Sequence, residues 1–389
     1  MACREQDKGA MSAVELIAER GLEGLPEALS VLINEAMRLE RERHLGVSAY
    51  ERSVDRRGYA NGYKPKAVMT RVGELSLSVP QVREGGFYPA SLEKGLRSER
   101  ALKLAVAEMY VTGVSTRKVA RITEQLCGFS ISSSEVSRCA ALLDDELCAW
   151  RERKLGAYPY VILDARYESI RHGGKVLDAA VLLALGVRPD GKRELLGASV
   201  ALSEAEVHWR TFLSDLKDRG MHGMQLFVSD DHAGLKAART AVFPSVPWQR
   251  CQFHLQQNAG AYMPRKDMRS TVAADIRSIF NAPDADEARR LLERFIKAYE
   301  SKAPKLAAWA EKALPQGLTV FELPAAHRRR LRTTNALERV NKEIKRRTRV
   351  ATLFPSEESC LRLVTAVAME ISEEWVTGRC YLNMENDLN

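Results

Sequence analysis

Three acidic residues sit where chain folding could bring their carboxylates to one point: Asp164 in YVILDARYESI, Asp230 in QLFVSDDHAGL and Glu338 in RTTNALERVNKEIKRRTR. The first two close apolar runs of β type, and the third lies in a very basic stretch of helical period. Carboxylate oxygens are natural ligands of hard divalent cations. Two such ions, about 4 Å apart, can clamp the attacking and the leaving oxygen of a phosphodiester. The set therefore predicts two Mg²⁺ ions, with Mn²⁺ as a substitute, held by Asp164, Asp230 and Glu338. Basic surroundings suit a polyanionic substrate, so the chemistry expected is cleavage and joining of DNA strands.

Each acid has a plainer reading. Asp164 could simply begin a turn. Asp230 or Asp231 could cap the helix that opens at Ala233. Strand alternation sends those two neighbours to opposite faces, so both cannot ligate from a regular strand. Asn335 and Glu338 have the spacing of a capping box, although Leu337, Val340 and Ile344 form an apolar stripe that would bring Glu338 near a sheet. Cys251 and His254 make a lone C-x-x-H. A structural zinc site needs four ligands, and no second pair stands at suitable spacing. A satisfied His at a strand end, with a structural or DNA-contacting role near the site, is the expectation there.

The charge distribution supports a nucleic-acid partner. The 389-residue chain carries a net charge of +8. Arg328, Arg329, Arg330, Arg332, Arg339, Lys342, Lys345, Arg346, Arg347 and Arg349 are opposed locally only by Glu338 and Glu343. Such clusters bind phosphates through counterion release. A solvated helix face is the alternative, which the acid at the cluster's centre disfavours. The seven cysteines are odd in number and irregularly spaced in a large chain, which fits reduced thiols in the cytoplasm better than a disulfide framework; a nucleoid-associated location is expected from the DNA partner. No apolar run approaches the length of a membrane helix.

The elements that must position these residues follow from periodicity. Residues 12–44 read as helices, with Leu29, Leu32, Ile33, Ala36 and Leu39 as the apolar stripe. Residues 51–90 read as a small β unit, with Leu75, Leu77 and Val79 alternating and Arg56, Arg57, Tyr59, Tyr63, Lys64, Lys66 and Arg71 as either a DNA-contacting surface or an ordinary hairpin face. Residues 98–150 return to helix. Within them Ser115, Gly128 and Ser132 or Ser133 outline a helix-turn-helix or a plain helical hairpin. From Tyr158 the order is β-β-β-α-β-α-β, with a turn at Pro189-Asp190-Gly191 and a helix from Ser203 drawn as a capping box with Glu206. VPWQRCQFH is the last strand. Residues 258–322 are almost wholly helical, and the tail YLNMENDLN is expected to be loose.

That order predicts an α/β, ribonuclease-H-like catalytic domain with an all-helical insertion, preceded by a mainly helical DNA-binding region with a small β unit. The expected boundaries are 1–45 for the N-terminal helices, 46–95 for the β unit and 96–154 for the helix-turn-helix region. The catalytic domain would be 155–257 plus 325–378, with 258–324 inserted. In such a domain the centre of the first strand lies beside the end of the fourth, where Asp164 and Asp230 fall.

Together these residues resemble the bacterial insertion-sequence transposases of the Mutator-type superfamily. The blocks run in order over roughly residues 45–376: GYANGY, TRVGELSLSVPQVREGGFYP, YVTGVSTRKVARITEQLCG, LDARY, VSDDHAGLKAA, FPSVPWQRCQFHLQQN and RTTNALERVNKEIKRRTRVATLFPSEES. The resemblance implies a DDE transposase in which Asp164, Asp230 and Glu338 are the three acids. It implies that Cys251 and His254 are the family's C-x-x-H, that Arg332 and Asn335 precede the glutamate on the DNA side, and that Trp375 is the closing tryptophan. Asp231 departs from the family's Gly and adds a negative charge there. The implied partners are terminal inverted repeats and target DNA, with the chain acting as at least a homodimer. A ribonuclease-H-fold nuclease that cuts without joining, and a non-catalytic DNA-binding protein, remain the alternatives.

Overall fold

The computed structural model describes residues 3–83, 86–92, 94, 97–349 and 353–384. The chain divides into two compact units, residues 1–142 and 143–389.

The first unit opens with helices α1 (Cys3–Arg20) and α2 (Leu25–Leu45), followed by an antiparallel hairpin of β1 (Ala60–Thr70) and β2 (Gly73–Val82). Leu75, Leu77 and Val79 are buried, as their alternation predicts, and pack with Met37, Val68 and Leu92. On α2 the buried line falls at Ala28, Met37, Arg41 and Leu45. Leu29 and Ile33 lie at its edge and Leu32 is exposed, so the apolar stripe expected from sequence is rotated. On the outer face Tyr59 and Tyr63 are exposed. The Arg41 guanidinium lies over the Tyr63 ring at 4.6 Å and donates to its hydroxyl at 2.8 Å.

Three short helices complete this unit: α3 (Arg100–Val111), α4 (Thr116–Cys127) and α5 (Ser133–Ala140). Their shared core is Leu102, Val106, Tyr110, Val119, Ile131 and Val136. Ser115 caps α4 by accepting from the Lys118 N–H, and Gly128 ends it at φ +73°, a conformation glycine adopts without a Cβ penalty. Ser132, rather than Ser133, caps α5 in a full capping box with Glu135.

The second unit starts with α6 (Asp144–Glu152) and continues as β3 (Tyr160–His172), β4 (Lys175–Val187), β5 (Arg193–Ala201), α7 (Glu206–Asp218), β6 (Leu226–Ser229), α8 (Ala233–Val242), β7 (Trp248–Arg250) and α9 (Gln252–Asn258). A helical stretch of α10 (Arg269–Phe280), α11 (Ala285–Tyr299) and α12 (Pro304–Ala313) precedes α13 (Ala325–Leu331), α14 (Asn335–Thr348) and α15 (Glu357–Thr377). The five strands are ordered β5-β4-β3-β6-β7. β3, β4 and β5 are antiparallel neighbours, while β6 joins β3 and β7 joins β6 in parallel.

Strand β3 shows why this sheet lies inside. Tyr160 and Ile162 pack on one face with the helices from α9 onward. Val161 and Leu163 pack on the other with Trp209, Phe212, Leu235 and Ala238 of α7 and α8. A strand covered on both faces reads as a continuous apolar run, which VIL supplies before Asp164.

Three sequence expectations fail locally. Ser203 does not cap α7; Ala205 stands at that position without a side-chain bond, and the helix starts at Glu206. The last strand is only three residues long, so Cys251 and His254 belong to the start of α9 rather than to a strand end. The tail is held as far as Met384: Tyr381 and Leu382 both donate to the Gly191 carbonyl at 2.8 and 3.0 Å, and Leu382 is buried. Its last residues, 385–389, lie outside the described residues.

Candidate active site

The parallel register of β3 and β6 sets the site. Tyr160, Val161 and Ile162 face Leu226, Phe227 and Val228. Asp164 lies two residues beyond Ile162, and Asp230 lies two beyond Val228. The two carboxylates therefore arrive at one level on adjacent strands. Burial, together with the like charges of Asp230 and Glu204, pushes the Asp164 carboxyl up to about 7. The His254 cation and the Ala165 N–H act in the opposite direction.

Asp230 and Asp231 part company just after β6. Asp230 Oδ1 accepts from the Asp231 N–H at 2.7 Å and lies 3.7 Å from His254 Nδ1. Asp231 instead pairs with Lys236 and with the buried Arg250, each at 2.8 Å. Neither aspartate caps α8, whose cap position is His232.

The C-x-x-H segment ties this region to α14. Cys251 is fully buried, and its sulfur accepts weak bonds from the Thr334 N–H at 3.5 Å and the Thr334 hydroxyl at 3.6 Å. The Gln252 N–H donates to the Arg332 carbonyl at 2.9 Å. Thr334, also buried, stands at the cap of α14. The Cys251 sulfur, then the Asp230 and Asp164 carboxylates, hold the His254 imidazole up to about 9 despite its burial. Burial pushes the Cys251 thiol up, but His254 outweighs it and leaves the thiol below its ordinary value.

On α14, Asn341 donates from Nδ2 to Asp164 Oδ2 at 2.8 Å. The Asn341 carbonyl accepts from Arg166, which also pairs with Glu168. Glu338 lies three residues before Asn341, on the same helix face. It is half-buried, and the Asn335 amide, turned with its nitrogen inward, donates to both Glu338 oxygens at 3.2 Å. The structure thus brings Asp164, Asp230 and His254 together and sets Glu338 one helical turn from the residue that binds Asp164. Among the described residues, no three His, Cys, Asp or Glu side chains stand in a group that could hold a metal ion.

Residues 5–378 match the family described as Transposase, Mutator family. The chain belongs to the Mutator family of transposases. It is 57% identical to the transposase for insertion sequence element IS406 of Burkholderia multivorans, across 98% of this chain and 99% of that protein. It is 43% identical to the transposase for ISRM5 of Rhizobium meliloti, across 98% and 96%. To the transposase for IS256 in transposon Tn4001 of Staphylococcus aureus it is 37% identical, across 92% of each. The protein is therefore a transposase, a DNA-processing enzyme of a transposable element. No described helix is long and apolar enough to cross a membrane.

The basic cluster of the transposase divides by position. Arg329, Arg339, Lys342 and Lys345 are exposed. Arg346 is also exposed and pairs with Glu343 at 2.7 Å. Others are committed within the protein. Arg328 donates to the Leu323 and Pro283 carbonyls at 2.9 and 3.0 Å, Arg330 lies over Tyr381, and Arg332 donates to Asn281 at 2.7 Å. Arg347 is buried, bonding Glu343 at 2.9 Å and Glu370 at 2.8 Å. Trp375 is buried under the Arg193 guanidinium.

Sequence reading missed Asn341 and Glu204. Asn341 carried a signal, since it repeats the Glu338 face one turn later. Glu204, 12% exposed and 3.5 Å from His232, precedes α7 and had none. As a donor set, the Asp164 and Asp230 carboxylates on adjoining strands, mutually repulsive and partly desolvated, fit a hard cation with oxygen ligands.

Proposed function

We propose that the chain is a DDE transposase with a ribonuclease-H-like catalytic domain that cuts the ends of its element and joins them to target DNA. The observation that carries this reading is the meeting of Asp164 and Asp230 beside a helix face that bonds Asp164 through Asn341 and bears Glu338. Asp164, Asp230 and Glu338 would hold two Mg²⁺ ions, or Mn²⁺ in their place, once binding draws Glu338 in to the aspartates, with which it forms no metal-holding group in this structure. Those ions, when bound, supply charge stabilisation for the attacking and leaving oxygens of an in-line displacement.

The remaining roles belong to the chain's own groups. Protonated His254 offsets part of the repulsion between the two aspartates. Cys251 and Thr334 fix the start of α14, and with it the height of Glu338. Exposed Arg329, Arg339, Lys342 and Lys345 hold phosphates of the strand being processed. The helix pair α4–α5 and the basic hairpin read the terminal inverted repeats, and cutting paired ends requires at least a dimer. Residues 155–257 and 325–378 form the catalytic domain, with 258–324 inserted.

The test is cleavage of a labelled duplex carrying the element's end, with Mg²⁺. Asp164→Asn and Asp230→Asn should still bind the duplex and release no product. Cleavage by either variant at the wild-type rate would refute the assignment.

A further inference from the structure

Asp231 faces a cavity of about 800 Å³ between α9, α12 and the segment after α9. Its wall carries two stacked rings, Tyr262 and Trp309, 5.3 Å apart and inclined by only 19°. Tyr262 is 40% exposed. Lys305 and Lys312 stand on the same wall, four residues before and three after Trp309, so all three share one side of α12. Arg250 also lines the cavity, paired with Asp231 and with Gln316 at 3.2 Å.

Flat aromatic rings flanked by lysines form a recurring platform for single nucleotides. Stacking on such rings is worth about 1–3 kcal/mol per base, and the cations hold its phosphates. The cavity is within the size range of pockets that enclose a small organic ligand. Its position is informative. Asp231 lines it, and the residue before Asp231 is Asp230, which faces Asp164 and His254. The cavity and the paired acids are thus linked through two consecutive residues of one turn, Asp230 toward the acids and Asp231 toward the cavity.

We propose that this cavity holds a nucleobase drawn out of the duplex at the cleaved end, stacked on the Tyr262–Trp309 pair, with Lys305 and Lys312 on its flanking phosphates. Extrusion of one base costs a few kcal/mol, which stacking on this pair offsets. The duplex is thereby opened beside the reacting phosphate. This inference rests on the proposed nuclease and strand-joining activity, and its test separates the two.

The probe is a duplex of the element's own end, with 5-iododeoxyuridine placed in turn at positions flanking the cut. Irradiation is done with EDTA, so that no cleavage is needed for the readout. Crosslinks at one position should map to Trp309 or Tyr262 and disappear in Trp309→Leu, a change that keeps apolar bulk in the helix. A second arm uses an end with an abasic nucleotide at that position. Trp309→Leu should cut the normal end at least tenfold more slowly than wild type and recover on the abasic end, where no base has to be extruded. Lys305→Ala serves as a variant that does not touch the apolar packing, and should weaken the crosslink. Crosslinks confined to other residues, or a Trp309→Leu defect that persists on the abasic end, would overturn the inference. Crosslinks to Trp309 in a protein that never cuts DNA would instead leave the cavity standing and remove the cleavage reading.

Discussion

Asp230 and Asp231 show how adjacent identical side chains come to differ. Asp230 faces His254 and Asp164, whereas Asp231 is the counter-ion of buried Arg250. Removing one member of a buried pair strands the other charge, at about 3–5 kcal/mol. Asp231 is 28% exposed, so screening reduces this to roughly 1–3 kcal/mol. Asp231→Asn should therefore lower the melting temperature by several degrees, while Asp230→Asn should leave it near the wild-type value and abolish DNA cleavage. Thermal denaturation beside a cleavage assay reads both, and the reverse pattern would exchange the two roles. In the sequence these residues were equivalent as acids, and only the downstream Arg250 and Lys236 separate them. Similarly, Arg347 looked like any other member of the basic cluster, because its engagement by Glu370 depends on how α15 packs.

At the level of elements, one contact within α14 and one between α7 and α8 are testable. Glu343 bridges Arg346 and Arg347, and Arg346 and then Arg347 hold its carboxyl down at about 2. A depressed carboxyl contributes stability above its unfolded value of about 4.5 and loses it as pH falls toward 2. Glu343→Gln should therefore cost on the order of 1 kcal/mol at pH 7 and nothing at pH 2, as measured by denaturant unfolding at each pH. A cost that does not change with pH would contradict the ion-pair account. The second contact is that of the start of α8 with the start of α7. A Cβ on Gly234 would lie 2.3 Å from the Glu204 carbonyl oxygen and 2.8 Å from the Glu206 nitrogen. Gly234→Ala should destabilise by about 1–3 kcal/mol and slow cleavage as well, since the turn it anchors carries Asp230. The strand order and the hairpin pattern were legible because apolar alternation and turn residues are local. The helical setting of Cys251 and the anchored tail were not, because each involves a distant carbonyl, Arg332 for Gln252 and Gly191 for Leu382; the start of α7 at Glu206 differs from the expected cap by a few residues of local chain.

For the whole molecule, the excess positive charge matters through where it is exposed. Binding of the element's end should weaken linearly in log–log terms with salt. Lys342→Ala and Lys345→Ala should each reduce that slope by about 1, whereas Arg347→Ala should lower stability and leave the slope unchanged. Equal slopes in all three would place the DNA elsewhere. The meeting of Asp164 and Asp230 could be foreseen from the order of strands and helices. The neighbours that tune the pair, Glu204 and Asn341, depend on the packing of α7 and α14 and became visible only in three dimensions.

The most direct measurement is a strand-transfer assay with the element's own ends, target DNA and Mg²⁺, run for the wild type and Glu338→Gln with end binding measured in parallel. The account predicts joined products from the wild type, and none from a Glu338→Gln protein that still binds the ends. Joined products from Glu338→Gln at the wild-type level, or wild-type protein that binds its ends and never cuts them, would contradict it.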